Sequence, residues 1–531
     1  MLKHLFIIFL LTYSVLGNSQ ARFDIKKYNF NNSTYDGHLA LYPDFENEFE
    51  YIKLHYPSLN KSSDKENTVI VLNIEDISVN GDYLHYNGNN ILDYSILAGG
   101  THTIKGVGTL YGRVSYKNSW IKNISQNYCV NAEDYLPYLV YDTINSGQVR
   151  NEKYMIEGGM SFTREQWSYG LSGYYEGTAS SKFEQPHRAV YCYWFRPAFS
   201  ISKADNRYNV ALKMYPEISK QNISVASSVG TYYFMQSYGM GQWNKRESAS
   251  GYNYSRNADI FGGGFDMLFT LTSNKDFKLL MNLAYNYRKM KTEETSYKNL
   301  YELNTHYFKS QLIFNWRLKK NLSMVWQAFT ESKIRRGIEN VYETKEVDKE
   351  QYLYDYILVG NNQLYSCNTY SGNIRGKLIL NIDKKNVVDF WIGEGVNVYK
   401  EEYLMPFLSI SNTTFTTYTG FGFKRNNKSS EIDLTIQGAY RMKAFNEYEL
   451  PEPVNNVQTL QTYIPYLIRG EEYWTITSSL IYAYSLHCGG KLGTEISAAL
   501  LKRTNAPYLH SLPQKNKRSQ LILGLNIFYA F

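Results

Sequence analysis

The chain has 531 residues, with 56 Lys or Arg against 49 Asp or Glu and a formal net charge of +7. That excess is too diffuse to point to nucleic acid, and no run of ~18 apolar residues follows residue 17, which excludes a helical membrane protein. Aromatic residues make up 16%, including 51 Tyr, yet mean hydropathy is −0.44; a chain rich in strand formers but polar on average suits strands with one wet face.

Residues 1–17, MLKHLFIIFLLTYSVLG, join a basic start to a short apolar run. This is the anatomy of a cleaved secretory signal peptide. Residues 18–105 pattern weakly. An acidic stretch reaches Glu66, Thr68–Ile74 is a short apolar run, and Tyr83 to Gly100 is rich in Asn and Gly. A periplasmic extension, a plug segment folded into a lumen and an additional pair of strands all fit this region. The domain boundary is placed at 105/106, with a barrel over 106–531.

From Gly106 onward, period-two segments recur: 108–116, 156–162, 167–175, 191–201 and 208–214. Later ones alternate more strictly. Phe277, Leu279, Met281, Leu283, Tyr285 and Tyr287 share one face, opposite Lys278, Asn282, Asn286 and Arg288. Short turns are predicted at 273–276, 319–321, 383–386, 426–429 and 487–490. Between them, long polar loops are predicted at 218–258, 291–307, 333–370, 400–411, 444–471 and 504–518. Short connections on one side and long ones on the other predict an all-β fold, a transmembrane antiparallel barrel of about sixteen strands, roughly fourteen to eighteen. In hydrocarbon every backbone N–H and C=O needs a partner within the protein, so such a sheet must close.

The chain ends on Ser519–Phe531. Leu521, Leu523, Leu525, Ile527, Tyr529 and Phe531 share one face, with Ile522 and Phe528 as exceptions on the other. Trp316, Trp326, Trp391, Trp474, Tyr482, Tyr484, Tyr529 and Phe531 are expected in interfacial girdles.

Charges on the opposite parity are expected to face the lumen, because Arg or Lys on the lipid face near mid-bilayer costs about 2–4 kcal/mol. The named candidates are Arg113, Lys213, Lys278, Arg288, Arg317, Arg375, Lys377, Asp433, Arg441 and Glu495. They form either a charged constriction that selects solutes or cross-strand pairs that hydrate the lumen. The basic excess favours anionic solutes. No catalytic triad, phosphate loop or metal-ligand spacing occurs, so no catalytic, metal or cofactor residues are expected. Gly262–Gly264, inside a strand pattern, marks a bend or a close approach. Cys129, Cys192, Cys367 and Cys488 are widely spaced and form no C-x-x-C motif.

Signal peptide, alternating loops and turns, Tyr-rich strands and a terminal Phe together resemble Bacteroidota-type outer-membrane β-barrels over ~107–531. The resemblance implies an outer-membrane address in a Gram-negative bacterium and partners in outer-membrane lipid. It also implies the barrel-assembly machinery, engaged through Tyr529 and Phe531 of the last strand, and a surface or periplasmic protein partner. The function expected first is a porin-like or substrate-specific channel. A non-conducting barrel serving a protein partner comes second, and a barrel-embedded hydrolase last.

Overall fold

A computed structural model describes residues 56–59 and 67–531, apart from 105–106, 143–146, 183, 185–186, 206, 227–231, 249–252, 275, 295–298, 349–352, 451–461, 488 and 507–517. The expected signal peptide lies outside the described residues.

Eighteen antiparallel strands close into one barrel. In chain order these are β1 (Asn67–Asn80), β2 (Asn90–Ile104), β3 (Gly108–Ile124), β5 (Gly147–Arg164), β6 (Trp167–Lys182), β7 (His187–Ala204) and β8 (Tyr208–Ala226). The wall continues through β11 (Asn253–Asn274), β12 (Phe277–Glu294), β13 (Tyr301–Lys319), β14 (Leu322–Asp348), β15 (Leu353–Asn381) and β16 (Asn386–Leu404). It ends with β17 (Phe407–Asn426), β18 (Ser430–Glu449), β19 (Glu472–Ser485), β20 (Lys491–Asn505) and β21 (Ser519–Ala530). Closure is made by β1 against β21, from Val69 opposite Ala530 to Asn80 opposite Ser519. Thr68 and Phe531 complete it by exchanging backbone hydrogen bonds of 2.9 and 3.0 Å.

Two sequence expectations are corrected here. The barrel starts at Asn67, not at 106, because β1 and β2 are wall strands. Of the three readings open for residues 18–105, the additional pair of strands holds for 67–104. Four of the predicted long loops are instead largely strand. In 218–258, β8 runs to Ala226, two strands of a second sheet follow, and β11 resumes at Asn253. β12 runs to Glu294 and β13 resumes at Tyr301, while β14 and β15 extend to Asp348 and Leu353. Between β16 and β17 only Met405 and Pro406 intervene. The five predicted short turns lie where the strands reverse.

Parity separates the two faces. On β21, Leu521, Leu523, Leu525 and Ile527 are exposed, whereas Gln520, Gly524, Asn526 and Phe528 are buried. Trp316 and Trp326 face outward near the short-turn end. Trp391 does not join them. It is buried on the inward face, lies over Gly420 and donates to Gln437 Oε1 at 3.2 Å. The glycine run predicted to mark a close approach does so in β11: a methyl group on Gly264 would sit 2.7 Å from the Tyr215 hydroxyl.

A second sheet of three strands, β4 (Val140–Asp142), β9 (Tyr232–Gly239) and β10 (Gln242–Ser248), is separate from the wall. It belongs to the connections between β3 and β5 and between β8 and β11. With α1 (Ala132–Tyr135) and α2 (Ile464–Arg469), it packs against inward residues of the wall.

Candidate functional site

The lumen is occupied at both ends, and the two fillings differ in chemistry. At the short-turn end, Tyr56 and the 3-10 turn Pro57–Leu59 lie against the inner wall. Tyr56 packs on Ala211, Leu268, Leu280, Ile313 and Val325, all inward apolar residues. Its hydroxyl donates to Asn282 Oδ1 at 2.7 Å, and the Ser58 amide donates to Ser200 Oγ at 2.7 Å. Gly170 makes room: a methyl group there would stand 2.3 Å from the Ser58 nitrogen. Glycine is needed because another backbone passes directly over it.

At the long-loop end, the connection after β3 folds inward. Tyr135, Tyr138 and Val140 are almost fully buried among Val190, Ile223, Tyr301 and Leu303 of the wall. Tyr138 stacks on Tyr301 with ring centroids 4.6 Å apart. Polar side chains of the wall then hold the backbone of the filling, as buried carbonyls and amides require. Arg335 donates to the carbonyls of Glu133 and Leu136 at 2.5 and 3.5 Å, and Arg188 to that of Asn127 at 2.6 Å. Gln221 Oε1 accepts from the Val130 amide at 2.7 Å. On α2, Arg469 pairs with Glu401 at 3.7 Å and lies 3.9 Å above the Tyr399 ring, and its carbonyl accepts from Arg441. Burial works to raise the Glu133 pKa, but the cations of Arg335, Arg469 and Lys333 outweigh it and hold that carboxyl below its ordinary range.

Between the two fillings runs a belt of ion pairs on the inward face. Glu217, fully buried, accepts from Arg196 at 2.9 Å and from Arg288 Nε at 2.6 Å. Arg288 also reaches Asp134 of the filling at 3.4 Å and lies 4.7 Å from the Trp194 ring centre. Arg113 bonds Glu157, and Lys213 meets Asp266 at 3.1 Å. Arg375 donates to Gln327 at 2.6 Å, and Lys377 lies 2.9 Å from Asp389. Lys424 stands between Glu431 at 3.2 Å and Asp433 at 3.8 Å. Glu495 accepts from Ser479 at 2.8 Å and Asn526 at 3.0 Å.

Eight of the ten sequence-predicted lumenal residues thus sit in polar contacts on the inner wall. Lys278 and Arg317 share the inward parity but are exposed close to the short turns, outside that belt. Sequence reasoning missed the carboxylate Glu217, although its strand neighbours Ile218 and Pro216 hide a parity that Lys213 already marked. It also missed Arg335, in the stretch 333–370 read as loop, and Glu133, which lies between the period-two segments 108–116 and 156–162. A cavity of about 20 Å³, room for a water molecule, is lined by Asp134, Ile260, Arg288, Met290, Leu303, Thr305 and Lys333. Among the described residues no group of three or more His, Cys, Asp or Glu could hold a metal ion. Cys129, Cys192 and Cys367 are free and buried.

Similar architectures occur among solved structures. A Pseudomonas aeruginosa FadL homologue shares 10% identity over 94% of this chain and 96% of its own, with a TM-score of 0.33. The FrpB iron transporter from Neisseria meningitidis shares 9% identity over 88% and 82%, with a TM-score of 0.37. The copper transporter OprC shares 9% over 87% and 81%, with a TM-score of 0.36. No curated protein matches the sequence. A family model does match, over residues 57–529, and the chain therefore belongs to the family of unknown function DUF6850.

Proposed function

We propose that this protein is an outer-membrane barrel that passes or binds small solutes through a lumen closed at rest. The short-turn end then faces the periplasm and the long-loop end the outside, in a Gram-negative, Bacteroidota-type envelope. The observation that carries the reading is the loop-end filling, folded against the wall and held there by Arg335, Arg188 and Gln221. An eighteen-strand barrel is wide enough for an aqueous channel, so a filling of this kind decides whether it conducts. The ion-pair belt below it supplies the selective surface, and the basic excess of the chain, 56 Lys or Arg against 49 Asp or Glu, favours an anionic solute.

Planar-bilayer recording tests this. The intact chain is expected to stay silent, and a variant with residues 127–142 replaced by a Gly/Ser linker to show discrete steps. Steps of equal size from both, or silence from both, would refute the reading. Reversal potentials in a salt gradient showing cation preference for the opened variant would remove the anionic solute.

A second reading, a non-conducting barrel that binds a protein partner, is favoured by the hairpin of β14 and β15. These strands have 27 and 29 residues against 19 for both β13 and β16, and Ile357, Leu358 and Val359 are exposed in succession along the hairpin. Silence from the linker variant, together with a partner captured by the hairpin, would favour it.

A further inference from the structure

Along β16 the outward residues are Val388, Phe390 and Ile392 towards the short turns and Val396 and Val398 towards the long loops. Between them stands Glu394. Its side chain is exposed, and among the described residues it makes no hydrogen bond or ion pair. Its register neighbours are Ile374 on β15 and Thr417 on β17. Other outward charges lie at the edge of the apolar belt: Asp76 is followed on its strand by Ser78 and Asn80, and Lys220 pairs with Asp259 beyond Ile218 and Phe261. A carboxyl group held amid hydrocarbon has no water to accept from, so it calls for a donor at its own depth.

A second observation concerns the same face. Gly372 and Gly438 flank Glu394 on the outward side of β15 and β18. A methyl group at Gly372 would meet nothing nearer than 3.7 Å, and one at Gly438 nothing nearer than 4.0 Å. The barrel's own packing leaves room for a side chain at both. The inward glycines nearby differ, since Gly393 and Gly420 lie directly beneath the rings of Tyr418 and Trp391. Outward glycines that the chain itself does not need allow close approach from outside, as small residues do between membrane-embedded elements.

We infer that the outward face of β15–β18 is a contact between two copies of this chain within the membrane. The occupant follows from the chemistry of the face. It carries an acceptor without a donor, Glu394, beside an outward hydroxyl, Thr417, at the same height. A two-fold axis through such a face brings each acceptor to the other copy's hydroxyl, which is what a self-complementary interface requires. The contact rests on the membrane reading above, because in water Glu394 needs no partner.

Phe415→Cys in the full chain, an exposed outward position on β17 that leaves the Thr417 hydroxyl in place, oxidised in outer-membrane vesicles, tests it. A disulfide-linked dimer is expected, whereas Ile496→Cys on β20, an outward position on another part of the wall, should give none. Adding Glu394→Val to Phe415→Cys should lower the cross-linked fraction about tenfold. Heat-modifiable gel migration reports that each variant is a folded barrel. No dimer from folded, vesicle-embedded Phe415→Cys, an adduct of different mass, or cross-linking indifferent to Glu394→Val would each overturn the contact. Recovery of the intact chain outside the membrane fraction would instead overturn the membrane reading, and the contact with it.

Discussion

The two ends of the lumen are closed by different physics. At the short-turn end a single tyrosine sits in a nest of Ala211, Leu268, Leu280, Ile313 and Val325, and few polar contacts assist it. At the long-loop end the chain folds back over many residues and is tied by buried charges, whose partners are backbone carbonyls or opposite charges. Apolar contact tolerates sliding and loses little when one atom is removed. A buried charge tolerates neither, because its partner is left stranded in a medium of low polarity. The loop end is therefore the end where one protonation or substitution has the larger effect.

Removing Glu471 breaks that comparison most sharply if it fails. This fully buried carboxylate accepts from Arg503 Nε at 2.5 Å and bonds Arg518, and Arg503 also meets Asp82 at 2.6 Å. Glu471→Ala leaves two buried guanidinium groups underpaired and should cost about 3–5 kcal/mol in urea unfolding from vesicles. A loss below that of a single hydrogen bond would show that the loop end is not fastened by charge.

The next effect is one of pH. His85, in the connection between β1 and β2, is pushed down to about 4 by burial, with Asp82 opposing. A folded pKa below the unfolded value near 6.5 means that its stability contribution is present above pH 6.5 and lost as pH falls towards about 4. The loss is at most about 3 kcal/mol. It should appear in unfolding profiles of the intact chain and vanish in His85→Gln, while no corresponding step is expected from the Tyr56 site.

The smallest effect belongs to the short-turn end. Tyr56→Phe removes only the bond to Asn282 and keeps the apolar contact, so about 1 kcal/mol is expected in the same unfolding assay. A loss matching Glu471→Ala would erase the distinction between the two ends.

Residues far apart in the chain explain why some of this was legible and some not. Strands such as Phe277–Glu294 declared themselves because lipid lies on one side and polar lumen on the other, so local alternation records both media. β1 did not. Val69, Val71, Ile77 and Val79 face inward and are buried, while Ile70, Leu72 and Ile74 face outward, so both parities are apolar and the strand reads as a brief greasy run. Phe528 is an exception on the last strand for the same reason: its inward ring joins Val69, Val71, Leu97, Ile481 and Ala483.

What the amino-acid sequence determined by itself was therefore the two-faced wall, its closure, the places of the short turns, and the inward parity of Arg113, Lys213, Arg288 and Arg441. Tertiary structure alone decided that 67–104 is wall, that the connection after β3 turns inward, and that Glu217 joins Arg196 to Arg288. Alternation is a property of neighbours along one strand, whereas filling and pairing depend on which strands the closed sheet brings face to face.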